Sequence, residues 1–147
     1  MKLPSFGFGR TQAPEEPEVG PAQPGVSVVL MVDDEPAVRG LFATTIRREG
    51  YHVVEARNGV EALDVTAKAG RVDLVVTDVV MPVMKGPELA ERLRDQYPDL
   101  PFIFVSGYLV DENLGPNAYM LQKPFKRDEL LQKINDLIGP ARPGAAN

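Results

Sequence analysis

The chain has 147 residues, 44% hydrophobic and 25% charged, with a formal net charge of −5, the size and balance of one ordinary globular domain. The acidic balance argues against a nucleic-acid surface, which needs clustered Lys and Arg to neutralise phosphates. With no Cys, disulfides, thiolate metal sites and Cys nucleophiles are excluded; no apolar run approaches the roughly 20 residues that span a bilayer, and the N-terminus lacks a signal-like segment, so the expected setting is the cytoplasm, with no membrane partner.

Residues 1–25 hold five Pro, four Gly and three Glu and follow no helical or strand period. They are expected to form a disordered or extended leader, and residues 140–147 a flexible tail beyond the helix stop Gly139-Pro140. Between them, apolar runs alternate with amphipathic stretches. Val26 to Val32 reads as a buried strand, and Pro36 suits the first turn of a helix with Val38, Leu41, Phe42, Thr45 and Ile46 on one face, ended by Gly50. His52 to Ala56 alternates and therefore suits an edge strand; its His52, the lone histidine, fits that place far better than a phosphodonor's. Asn58-Gly59 turns the chain into a helix over Val60 to Ala69. Val72 to Thr77 is the third strand, and Pro87 opens a helix that stops before Pro98. Phe102 to Val105 and Ala118 to Leu121 are strands four and five, and Arg127 to Ile138 is a last helix with Leu130, Leu131, Ile134, Leu137 and Ile138 on one stripe. Strands alternating with helices make an α/β domain over 26–139, a parallel sheet covered on both faces.

In such a sheet functional groups collect at the carboxyl ends of the strands. Asp33 and Asp34 follow the first strand, Asp78 the third, Ser106 the fourth and Lys123 the fifth. Singly these are ordinary residues: an Asp after a strand is usually a cap, a Ser a turn residue, a Lys a solvated side chain. Together they differ, because carboxylates about 4 Å apart repel by about 4 kcal/mol per pair at an effective dielectric of 20. Three of them stay ionised in one pocket only with a cation, and hard oxygen ligands suit Mg²⁺.

The motifs Val32-Asp33-Asp34-Glu35-Pro36, Asp78-Val79-Val80-Met81-Pro82, Ser106-Gly107-Tyr108 and Gln122-Lys123-Pro124-Phe125 resemble, as a set, the response-regulator receiver domain of two-component signalling. The wording around Asp78 and Ser106 is especially similar to single-domain receivers and receivers of hybrid histidine kinases. The resemblance spans 26–139 and implies a doubly wound five-stranded sheet of order 2-1-3-4-5. It further implies that Asp78 is the phosphoacceptor, that Asp34 and Asp78 bind Mg²⁺ directly and Asp33 through water, and that the backbone carbonyl of Val80 completes the protein's share. Lys123 and Ser106 would meet the phosphoryl oxygens, and the Lys123-Pro124 bond is often cis in that family. The phosphoryl donor would be a histidine kinase or histidine phosphotransfer protein, or a small phosphate compound, and the output a downstream protein target. The domain would be a regulatory phosphoacceptor rather than an enzyme.

The chain departs from that pattern in three places. Met120 stands where an aromatic residue usually lies, three before the Lys; Tyr119 is one residue out of phase and so points to the opposite face. Tyr108, two residues after Ser106, is the candidate substitute ring, which makes Ser106, Tyr108 and Met120 the expected switch residues. The loop after Asp78 carries Val83 and Lys85 where Gly and Asp are frequent. Gly107 to Asn117 leaves eleven residues for a crossover that contains Gly115-Pro116, so a helix there is expected to be shortened to one or two turns. These departures give some weight to an alternative, a phosphorylation-independent interaction module; a third class, a small-molecule enzyme of flavodoxin-like fold, would need a glycine-rich phosphate loop and a larger substrate domain, which this chain lacks.

Overall fold

A computed structural model of the protein describes residues 25–110 and 113–141. The expected leader, apart from Gly25, and the tail, apart from Pro140 and Ala141, lie outside the described residues. Among the described residues nine elements follow in order: β1 (Val28–Val32), α1 (Pro36–Arg48), β2 (His52–Ala56), α2 (Gly59–Ala69), β3 (Leu74–Asp78), α3 (Gly86–Gln96), β4 (Phe102–Ser106), β5 (Ala118–Gln122) and α4 (Arg127–Ile138). All pairings are parallel and the sheet order is β2-β1-β3-β4-β5. This is the doubly wound arrangement the sequence implies, with β2 at an edge.

Alternation along the strands builds two cores. Val28, Leu30 and Val32 of β1 join Val54, Val75, Phe102 and Phe104 under α2 and α3, where Ala62, Val65, Leu89 and Leu93 close the layer. Val29 and Met31 point the other way, with Val53, Leu74, Val76, Ile103 and Val105, against Ala43 and Ile46 of α1 and Leu130 and Ile134 of α4. Burial on both faces is why β1, β3 and β4 read as near-continuous apolar runs. Local signals set the helix ends: Pro36 opens α1, and the Asn58 side chain caps α2 by accepting from the Glu61 N–H at 2.8 Å. On α1, Leu41 departs from the expected apolar face; it is 64% exposed, and Ala43 is buried instead.

The crossover from β4 to β5 is the main difference from expectation. Its described residues, 107–110 and 113–117, form no helix, so the shortening goes further than the one or two turns expected. Nucleating a turn is costly when few residues can propagate it, and Gly115-Pro116 interrupts the segment. The connection is fastened by other means. Arg94 on α3 donates through Nη2 to the carbonyls of Leu114 and Pro116, at 2.9 Å each, and its guanidinium lies 4.8 Å from the centre of the Phe102 ring. Gly115, at φ +92°, passes so close that an added Cβ would meet the guanidinium at 2.3 Å. Val110 and Leu114 pack on the core beside it.

Candidate functional site

The strand order reverses between β1 and β3, and the crevice outside their carboxyl ends is where a doubly wound sheet places a ligand. Asp33 follows β1 there and Asp78 ends β3. Asp33 and Asp78 are buried and Asp34 is exposed; one carboxylate oxygen from each lies within 4.8 Å of the others. Lys123, just past β5, brings its Nζ to 3.6 Å from Asp78 Oδ1. Four of the expected site residues therefore converge.

Burial above all pushes the Asp78 carboxyl up to about 7, and the negative charge of Asp33 adds to this; the Lys123 ammonium opposes it, and Asp34 raises it further. One lysine does not balance three carboxylates in this crevice. Hard oxygen donors with an excess of negative charge suit a small divalent cation such as Mg²⁺, so the residues present fit the ion that the sequence suggests.

Each member has a backbone reason for its place. The N–H of Asp33 donates to the Ala56 carbonyl at 3.1 Å, continuing the ladder to β2, and the Asp33 carboxylate accepts the Glu35 N–H at 2.9 Å, an Asx turn into α1. At Asp78 the Val79 N–H donates to the Val105 carbonyl at 3.1 Å. The chain then loops back so that the Gly86 N–H donates to the Val79 carbonyl at 2.9 Å. A Cβ at Gly86 would fall 2.3 Å from the Asp78 carbonyl oxygen, so only glycine permits this approach. Within the loop the Met84 N–H donates to the Pro82 carbonyl at 2.8 Å, with Val83 between them at φ +74°. This is a tight γ-turn, in a region that disfavours β-branched residues. Val80 lies in the same loop, just past Asp78, and is exposed.

Ser106 ends β4, buried, and its Oγ accepts the Tyr108 N–H at 3.2 Å. The Lys123 N–H donates to the Ser106 carbonyl at 2.7 Å, tying the two strand ends together, and the Lys123-Pro124 bond is cis. The other two expected switch residues, Met120 and Tyr108, have different surroundings. Met120 pairs with Phe104 in register and packs on the core under α2 and α3. Tyr119 points to the other face, with the Lys133 ammonium 5.5 Å from its ring centre, and Tyr108 is 55% exposed. Sequence reasoning passed over Gly86, Arg39 and Arg94. Gly86 had a visible cue in its place before a helix-opening proline, whereas the two arginines act through partners far along the chain.

The response regulator receiver domain family matches residues 29–135. The chain belongs to this family. It is 44% identical over 120 residues to the sensor kinase CckA of Brucella abortus, covering 78% of this chain and 13% of that kinase. It is 38% identical over 121 residues to the response regulator MprA of a Mycobacterium species, covering 78% of this chain and 52% of the regulator. Thus the chain spans a small part of the first relative and about half of the second. Among solved structures it resembles the receiver domain of the hybrid histidine kinase CckA, with a TM-score of 0.68 and 34% identity over 76% of this chain and 99% of that one. It also resembles TrrA of Thermotoga maritima, solved in complex with Mg²⁺ and BeF, with a TM-score of 0.69 and 34% identity over the same shares.

Proposed function

We propose that Asp78 accepts a phosphoryl group in a two-component system or phosphorelay, and that the modified domain signals by protein contact. The observation that carries this reading is the convergence of the Asp33, Asp34 and Asp78 carboxylates within 4.8 Å, with the Lys123 ammonium 3.6 Å from Asp78. In the transfer, a carboxylate oxygen of Asp78 forms the new P–O bond as the P–N bond of a donor phosphohistidine breaks, and the leaving imidazole nitrogen keeps the electron pair. Lys123 supplies a compact positive charge beside the acceptor, and Ser106 a hydroxyl at the neighbouring strand end.

Asp34 and Asp78 would hold Mg²⁺ directly, Asp33 through water, and the Val80 carbonyl would complete the set. When bound, the ion supplies the positive charge that lets the acceptor ionise and meet an anionic phosphoryl group. The Mg²⁺ and BeF bound to TrrA support this assignment, and likeness to a hybrid-kinase receiver supports a histidine kinase or histidine phosphotransfer protein as the donor. No helix in the described residues is long and apolar enough to cross a membrane; likeness to receivers of two-component proteins supports a cytoplasmic exchange. The family match over 29–135 supports a domain of residues 26–139.

Replacing Asp78 with Asn keeps the shape of the side chain and removes the nucleophile. Incubated with a labelled small phosphoryl donor and Mg²⁺, the parent should take up acid-labile phosphate and Asp78→Asn none. Undiminished uptake in the variant would place the acceptor elsewhere and overturn the reading.

A further inference from the structure

The Asp33 carbonyl accepts a hydrogen bond from Arg39 Nη1 at 2.9 Å. The same guanidinium reaches Glu55 of β2 through Nε, at 3.2 Å from Oε1. Glu55 is itself held on its other oxygen by Arg47 Nη1 at 3.0 Å. The Arg39 and Glu55 side chains are only 19% and 14% exposed, so this pair is a largely desolvated charge-assisted bond rather than a surface pair, with Arg47 at its more open end. The linked side chains run from the edge strand to the peptide that joins Asp33 and Asp34.

That peptide is planar. A bond to its oxygen restrains rotation of the plane that links the two carboxylate-bearing residues, and so narrows the directions in which their side chains can leave the backbone. The Asp33 N–H is held by Ala56 and the Asp33 carboxylate by the Glu35 N–H, which leaves the peptide oxygen as the remaining handle.

We propose that Arg39, held by Glu55, is a positioning residue for the cation site: it orients the Asp33–Asp34 peptide through the Asp33 carbonyl. The proposal rests on the reading of the acidic crevice as a Mg²⁺ site. It predicts an effect of unexpected sign. A positive side chain beside a cation site repels the cation, so if Arg39 acted only through its charge, removing it would tighten Mg²⁺ binding. If it positions the ligands, removing it weakens binding, by about tenfold on the scale of partners that orient metal ligands.

Mg²⁺ alone is titrated into the full chain and its affinity read from amide NMR shifts, for the parent, Arg39→Ala, Arg39→Lys and Glu55→Gln, with melting curves to confirm that each is folded. Arg39→Ala should bind Mg²⁺ about tenfold more weakly. Arg39→Lys should not restore the affinity, since a single ammonium cannot span the Asp33 carbonyl and Glu55 as the fork does. Glu55→Gln should weaken binding as well, and adding Arg39→Ala to it should cost far less than in the parent. If Arg39→Ala or, should that variant not fold, Arg39→Lys binds as tightly as the parent or more tightly, the positioning role is wrong. A parent that shows no saturable Mg²⁺ binding would overturn the site reading itself, and this inference with it.

Discussion

Asp33 and Asp34 sit on a turn gripped by the β2 ladder, by an Asx turn and by Arg39, whereas Ser106 leads into a crossover without a helix among its described residues, whose far end hangs chiefly on Arg94. The two regions flank the same carboxylate and are built for opposite purposes. Crowded like charges need ligands that do not drift, because repulsion would spread a loose cluster. A segment with few buried contacts costs little to reorder, so a phosphoryl group at Asp78 would act most cheaply on the crossover through Ser106. Tyr108 and Leu109, both largely exposed there, are the side chains such a change would carry.

The largest expected effect concerns charge at the gripped end. In metal-free protein Asp78 holds its proton up to about 7, against an ordinary 3.8. Between those values the folded chain binds a proton that the unfolded chain has released. The native state then binds more protons than the unfolded state, so stability falls as pH rises through this window. A separation of this size corresponds to at most about 4 kcal/mol. Urea unfolding in chelator should show this decline in the parent and not in Asp78→Asn, which should be the more stable of the two above about pH 7. A decline of equal size in the variant would locate the charge effect elsewhere.

Next in size is the backbone contact behind Asp78. Gly86→Ala would drive a Cβ into the Asp78 carbonyl, and neither main chain can yield without moving β3 or α3. A loss of about 3 kcal/mol is expected, the upper part of the range for overpacking, read as a lower denaturation midpoint. Arg94→Ala should cost less, about 1 to 2 kcal/mol, for two charge-assisted bonds and a cation–π contact at a partly exposed site. Its more telling readout is local. Amide exchange should quicken at Gly115 and Asn117 while Mg²⁺ affinity at the acidic end stays unchanged; weakened Mg²⁺ binding would show that the two regions are not independent. The smallest effect is expected at Val83, at φ +74° and 77% exposed. Val83→Gly should relieve the γ-turn and raise stability by about 1 kcal/mol, measurable as a small upward shift in melting temperature.

The strands and their order were legible because burial on both faces leaves an unbroken apolar run, and the acidic site was legible because parallel strands deliver Asp33, Asp34, Asp78 and Lys123 to one edge. Element boundaries shifted by a residue or two; Asp78 and Ser106, for example, end their strands rather than follow them. Less legible was whatever depends on partners distant in sequence. The eleven-residue crossover announced a short helix; among its described residues there is none, and the hold that Arg94 keeps on the segment comes from a side chain about 20 residues earlier. Leu41 followed a helical period yet remains exposed, since α1 turns Ala43 and Ile46 to the sheet. Met120 and Tyr119 do lie on opposite faces of β5, as a one-residue step in a strand requires.

The central claim is that the carboxylates of Asp33, Asp34 and Asp78 form one cation-dependent phosphoacceptor site whose occupation is felt in the crossover. Beryllofluoride, a phosphoryl mimic, can be added to the protein with and without Mg²⁺ while the backbone amides are followed by NMR. With Mg²⁺, the shifts should be large at Asp33, Asp34, Val79 and Ser106, extend through Gly107 to Val110, and fade along β2 and α1; without Mg²⁺ they should be absent. Binding without Mg²⁺, or no change at Asp33, Asp34 and Val79 when both are saturating, would contradict it.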